Sequence, residues 1–411
     1  MNDARSPRRW VLGLFLIGLA FSITLSQVAL ALLAGYWLLR LRDPSARAAM
    51  IFPLATPFLA FVAASLLAAL LSGNVGDSLV RSKALLLVLV FFSLVNTLGG
   101  TDEADWFLSR FLLLMAAVSL LGVVQVSLCP EHPWSGPILA RWSRKCFRAR
   151  GFYSIYMTLA GVLTLTILAC LPRLFPRPAE RGWWLPVAWV ISGLGLVVTY
   201  TRGAWLGVVV GAASLSLFLR RLSVLAAIGA VLLLALLLLL ATGTLGDRVR
   251  SLQDPTTLRE RFYMWQSGLA MVREHPLTGV GVGQLRAVYP RYALGEAYKK
   301  TTSHVHNTPL QILAERGLLG LAAWLSIWVA FFVRGARLLR RIGPDQQRER
   351  GLVAGSLAAI IGFLVSGLFE YNFGDSEVLM VAYAVMAVLF VVERSLGAPH
   401  PASPHWGEEK R

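Results

Sequence analysis

Residues 258–320 read LRERFYMWQSGLAMVREHPLTGVGVGQLRAVYPRYALGEAYKKTTSHVHNTPLQILAERGLLG. This is the one long segment of the 411-residue chain that is not continuously apolar. It joins an arginine-bearing amphipathic helix, a Pro/Gly-punctuated turn and a His-x-His-Asn ahead of another helix. Apolar runs of membrane-spanning length lie on either side. A polar, basic loop suspended between such runs makes the chain a polytopic membrane protein and marks where its chemistry is to be sought.

Working outward, 56% of the residues are hydrophobic and the mean hydropathy is +0.63, values that exclude a soluble globule. Apolar runs fall near 10–23, 25–39, 51–72, 84–98, 105–128, 152–171, 184–200, 203–219, 222–242, 314–333, 352–369 and 377–392. The expected fold is therefore all-α and polytopic, with about twelve transmembrane helices and a large periplasmic loop containing amphipathic helices. Residues 1–242 would hold helices 1–9 and a basic loop at 129–150, 243–313 the large loop, and 314–393 helices 10–12. A cytoplasmic, disordered tail would follow at 394–411. The opening RSPRRWVLGLFLIGLAFS imitates a signal peptide, with Ala29-Leu30-Ala31 resembling a cleavage site. The apolar run continues through Trp37 without a polar break, so it reads as an uncleaved helical hairpin.

A net charge of +17 would suggest nucleic acid in a soluble protein. Here the Lys and Arg of the short loops collect on one side, as they do on cytoplasmic faces, and no nucleic acid is expected. With an even number of spans, that side also carries both termini. The basic loops at 129–150 and 243–313 then face outward, against the usual bias. Two causes fit: contact with anionic headgroups of membrane lipids, or an anionic ligand such as a phosphate or pyrophosphate. Cys129 and Cys146 bracket the first basic loop and on an oxidising face could form a disulfide or stay unpaired.

Tyr200-Thr201-Arg202 interrupts an apolar stretch, and Gly203 would allow a tight turn there. Arg202 is either a snorkelling anchor or a guanidinium fork facing an anionic headgroup. On the expected helix 257–273, Leu258, Phe262, Trp265, Leu269 and Val272 form an apolar stripe suited to a membrane surface. Arg261 borders this stripe while Arg259 points away. Asn307 or Thr308 can cap a helix with Pro309 in its first turn. The helix start disfavours a proton on His306, and a neutral imidazole is what a general base requires. His304 reads as an understudy or a local hydrogen-bonder. The GVGVG at 279–283 lacks a preceding strand and is turn chemistry, not a nucleotide loop. No outward Asp-x-Asp offers metal-bridging carboxylates, and no cofactor or metal is expected.

In combination and order, these pieces resemble the O-antigen ligase and polymerase superfamily of bacterial envelope glycosyltransferases. The similarity rests on Thr201-Arg202-Gly203-Ala204-Trp205, Arg261 with Trp265, and His275-Pro276-Leu277-Thr278-Gly279-Val280-Gly281. It rests also on His306-Asn307-Thr308 leading into 311–320 and, more weakly, on Arg148-Ala149-Arg150-Gly151-Phe152. The resemblance implies an inner-membrane protein acting on a glycan carried by undecaprenyl pyrophosphate. Arg202 and Arg261 would hold the pyrophosphate, helped by Arg148 or Arg150, and His306 would be the essential histidine. Tyr200, Trp265, His304 and Asn307 would complete the substrate site. A ligase transferring O-antigen to the lipid A–core acceptor is the first expectation. A polymerase, a protein O-oligosaccharyltransferase and, in a different class, an anionic-lipid transporter are the alternatives.

Overall fold

A computed structural model describes residues 7–129, 146–175, 182–241 and 255–397. Most of the first basic loop (130–145), the start of the large loop (242–254) and the tail from 398 lie outside the described residues. Sixteen α-helices follow one another within them: α1 (Pro7–Phe21), α2 (Ile23–Arg40), α3 (Pro44–Ala48), α4 (Ala55–Leu70), α5 (Val75–Arg81), α6 (Val88–Thr97), α7 (Thr101–Ser127), α8 (Tyr156–Cys170), α9 (Trp184–Val197), α10 (Arg202–Leu219), α11 (Ser223–Ala241), α12 (Pro255–Glu274), α13 (Leu285–Tyr292), α14 (Thr308–Arg341), α15 (Gln347–Gly367) and α16 (Ser376–Gly397).

Each of the twelve apolar runs falls on helix, the fourth on a 3-10 stretch continued by α6. Among the described residues, eight helical segments are long and apolar enough to cross a bilayer. The others lie on α1, α4, α9 and α11. The exterior stays apolar, with Leu38, Leu39, Leu59, Leu70 and Leu217 exposed. Such a surface is stable only where lipid is the solvent. At the centre, α8, α15 and α16 are mostly buried. α1 and α2 pair as the expected hairpin, turning at Ser22, whose hydroxyl caps α2.

Close helix packing comes from missing side chains. A Cβ at Gly207 of α10 would stand 2.5 Å from the Gly362 carbonyl oxygen of α15, and one at Gly211 would stand 2.8 Å from that of Ala358. Spaced four apart, these glycines share one face of α10 and let the two backbones touch. The contact fixes the start of α10, with Arg202, beside the end of α15. The turn before α10 differs from expectation. Its left-handed residue is Tyr200 (φ 53°), while Gly203 packs under Phe369. Gly203 therefore serves helix packing and not the turn itself.

α14 is broken at Gly317 (φ 63°, ψ −167°), where a Cβ would overlap the Leu277 backbone. The amides of Val280 and Gly281 donate to the carbonyls of Ala314 and Glu315 at 2.9 and 3.0 Å. The Leu318 amide donates to Pro276 O at 2.8 Å. The 276–281 loop thus supplies the partners that the broken helix lacks. GVGVG is turn chemistry, as its lack of a preceding strand implied. Beyond the break, α12, α13 and the start of α14 share a small core of Met264, Met271, Leu285, Tyr289, Val305 and Ala314.

Candidate active site

α10, α12 and the α15–α16 connection meet on the face opposite the one reached by Arg8 and Arg394. The 27 residues of α7 separate the two faces, about 40 Å at the helical rise. Glu103 marks one end of that helix, and the Arg148–Gly151 turn packs near the other, on Val118 and Gly122.

On this face an open cleft of about 640 Å³ is lined by Arg148, Tyr200, Arg202, Arg261, Phe369 and Glu370, among others. Four residues singled out from sequence, on three separate segments, thus share one cavity. The segment 148–152 also explains which of its arginines is in place. Ala149 is buried, its amide donating to Val198 O at 2.9 Å. Arg148, on one side of it, stacks on Tyr156 at 4.4 Å and lines the cleft. Arg150, on the other, is not in that lining, and its amide donates to Gln125. Arg202 is the first residue of α10, so a helix N-terminus, itself anion-attracting, opens into the cavity.

Arg261 lies on α12 as the periodicity predicts. Of the expected stripe, Leu258, Phe262 and Leu269 remain exposed, whereas Trp265 and Val272 are partly buried against the small core that Met264 and Met271 build. Arg261 forks onto the connection after α15: Nη1 donates to Phe369 O at 2.9 Å and Nη2 to Glu370 Oε1 at 2.8 Å. The other oxygen of Glu370 lies 2.9 Å from His306 Nδ1. One carboxylate therefore bridges the expected pyrophosphate-holding arginine and the expected base.

Glu370 was not found from sequence. It follows an apolar run, with no second carboxylate at a motif spacing to mark it. Its partner Arg261 stands 109 residues away. The available signal is an acidic residue, one of two in the short FEYNFGD break between the last two spans. Burial pushes the Glu370 carboxyl up, but the His306 hydrogen bond and the charge of Arg261 outweigh this and hold it below the usual range. Ionised Glu370 only accepts hydrogen bonds, so His306 Nδ1 is the donor to it.

The loop around His306 (φ 51°) is strapped on both sides. Asn307 caps α14 by accepting from the Leu310 amide at 2.9 Å, and its Nδ2 donates to Leu368 O at 3.1 Å. The Thr308 hydroxyl donates to Glu370 O at 2.8 Å. Trp265 donates its indole N–H to Val305 O at 3.0 Å. Asn307 and Trp265 thus hold the loop in place and lie outside the cleft lining, as do His304 and His306 themselves. His304 packs edge-on against His306, ring centroids 4.3 Å apart. Burial first, then the neighbouring His306, push the His304 ring down to about 4.

A second cavity, of about 340 Å³, is lined in part by Tyr371, the residue next to Glu370. Apolar Phe58, Phe61 and Val62 line its base, and Arg81, Lys83 and Arg286 are among its polar residues. Consecutive residues Glu370 and Tyr371 face the two cavities in turn. Cys129 and Cys146 are joined as a disulfide, Cα atoms 5.4 Å apart, beside the Arg148 turn. Among the described residues, no three His, Cys, Asp or Glu side chains gather to hold a metal ion.

Residues 187–325 match the family model described as O-Antigen ligase. The chain is also 26% identical over 277 residues to the exopolysaccharide production protein ExoQ of Rhizobium meliloti (strain 1021). That match covers 61% of this chain and 56% of the relative, so it spans about half the relative's length. The matched family segment contributes Tyr200, Arg202, Arg261, His304 and His306. The stretch that builds most of the site is thus similar to the O-antigen ligase family model, and it is set in a polytopic helical membrane protein.

Proposed function

We propose that the chain is a ligase-type glycosyltransferase, acting at the periplasmic surface of the bacterial inner membrane with both termini in the cytoplasm. It moves an O-antigen glycan from undecaprenyl pyrophosphate to lipid A–core. The observation that carries this reading is the Arg261–Glu370–His306 chain of contacts, which couples an anion-holding group to a base. Three guanidinium groups, from Arg148, Arg202 and Arg261, face one carboxylate in the donor cleft, an excess of positive charge suited to a pyrophosphate. The exposed part of the α12 stripe seats the cleft at the lipid surface, where a polyprenyl carrier presents its headgroup.

In the proposed reaction the acceptor sugar reaches the wall between the two cavities from the side of Arg81 and Arg286. His306 Nε2 takes the proton of its hydroxyl as that oxygen attacks the anomeric carbon from the face opposite the pyrophosphate. The bond from the anomeric carbon to the phosphate oxygen breaks, and the departing electron pair goes to the pyrophosphate, whose charge the arginines stabilise. Configuration at the anomeric carbon inverts. Glu370 fixes the His306 tautomer and steadies the imidazolium that forms, while Arg261 keeps Glu370 in position.

Replacing His306 with Ala in purified protein tests the reading: glycan transfer should fall by about 10²–10⁴-fold with membrane insertion intact. Full transfer at normal expression removes the role. A polymerase is the second reading, favoured by the name of the exopolysaccharide relative. Gene deletion separates the two. Lipid-linked polymer accumulating on the carrier marks a ligase, and single repeats on lipid A–core mark a polymerase.

A further inference from the structure

The face opposite the candidate active site has its own basic cavity, of about 290 Å³, between the ends of α1, α2, α6 and α16. Its lining includes Arg8, Arg40 and Arg394, with no Asp or Glu among the described residues. Two carboxylates stand nearby outside that lining: Glu103 is already engaged by Arg8 at 3.1 Å, by Arg9 at 3.6 Å and by the Gly99 amide, and Asp43, close to Arg40, accepts from the Ser45 amide and hydroxyl. All three lining arginines are half-buried, where unbalanced charge is costly. Arg394 donates to Val95 O and Leu98 O, and Arg40 to Asn96 O at 3.4 Å. These carbonyls at the end of α6 orient the two guanidinium groups and use only part of their donor capacity. Thr97, 2% exposed, also lines the cavity, and its hydroxyl has no hydrogen-bond partner among the described residues.

Three converging guanidinium groups with too little negative charge among them, beside an unpartnered hydroxyl, describe a phosphate site. Its surroundings indicate where the phosphate comes from. Met50 and Ala49 are in its lining, and Leu38, Leu39 and Phe52 are exposed on the adjoining segments. The cavity therefore sits where the apolar exterior ends, at headgroup depth. We infer that Arg8, Arg40 and Arg394 bind the phosphate of an anionic phospholipid in the leaflet on this face, and that the bound headgroup ties α1, α2 and α16 together. Basic pockets between spans recognise anionic headgroups through this chemistry. The inference does not depend on which reaction the other face performs.

The test uses the full chain, purified in neutral detergent. Its thermal unfolding is followed with added phosphatidylglycerol, cardiolipin, phosphatidylethanolamine or inorganic phosphate. Phosphatidylglycerol or cardiolipin should raise the midpoint by about 5 °C, and phosphatidylethanolamine should not. Arg40→Gln, which gives up a single long hydrogen bond, should lose most of the shift, while Arg42→Gln on the exposed turn should keep it. If millimolar inorganic phosphate reproduces the shift, the phosphate site stands but is filled from solution. Equal shifts with phosphatidylethanolamine, or an undiminished shift in Arg40→Gln, overturn the inference. Should Arg40→Gln fail to fold, the wild-type chain is stripped of lipid by repeated detergent washing and weighed by native mass spectrometry. Selective retention of anionic lipid upholds the site, and indifferent retention sinks it.

Discussion

The molecule gathers three arginines around a cavity twice, once on each membrane face, and the two cavities differ in what stands beside the guanidinium groups. Around Arg40 and Arg394 the partners are backbone carbonyls and Arg8 pairs with Glu103, with no imidazole in the lining, an arrangement suited to holding an anion. Around Arg148, Arg202 and Arg261 a carboxylate links one arginine to an imidazole. On the proposed reading, positive charge supplies binding on both faces, and a proton acceptor wired to that charge adds chemistry on one. The same residue type therefore has different meaning on the two faces, and counting arginines cannot separate them.

The contrast breaks most decisively at His306. His306→Ala should cost about 10²–10⁴-fold in transfer, measured as turnover of lipid-linked glycan, and turnover near wild type would make the two faces equivalent. Next comes Arg261→Lys, which keeps the charge but cannot fork onto Phe369 O and Glu370 together. A drop of about 10–100-fold is expected, the value of one charge-assisted hydrogen bond, and unchanged turnover would show that charge alone suffices. Gly207→Val then tests how the active face is held. The added side chain must part α10 from α15, lowering stability by about 1–3 kcal/mol and carrying Arg202 away from Glu370. Unfolding midpoint and donor KM should change together.

The smallest effect concerns acidification. His304 has a folded-state value of about 4, below the ordinary ~6.5 of an unfolded chain. Between these values the unfolded chain takes up a proton that the folded one refuses. Stability is therefore full above about pH 6.5 and declines as pH falls toward 4. Glu370, also held low, adds stability that is present above the ordinary carboxyl value and lost as pH falls through its own, lower one. His304→Gln should flatten the decline between pH 6.5 and 4 in a thermal-unfolding series, and an unchanged slope would remove His304 as its source.

Much of this architecture was readable from composition alone, because lipid makes apolar length a direct report of helix position. The Asn307 cap and the α12 stripe were equally local and equally visible. Arg148, Tyr200, Arg202 and Arg261 could be proposed, but that they share one cavity depends on glycine-mediated contact between α10 and α15. Choosing Arg148 over Arg150 required Ala149 to be seen buried between them. Glu370 was hidden for a related reason: its partners, Arg261 and His306, lie 109 and 64 residues away. Gly203 packs against Phe369 instead of making the turn because a glycine before a span serves a turn and a helix contact with the same letter.

The break at Gly317 has a bearing on how the protein is made. A translocon reads the apolar run below it and would deliver that run to the bilayer whatever residue stands at 317. Registration of His306, by contrast, requires the 276–281 loop to reach the interrupted backbone, where a methyl group would collide with Leu277. Gly317→Ala should therefore yield a chain that reaches the membrane in normal amount and orientation yet arrives inert, its delivery and its maturation separated at a single carbon atom.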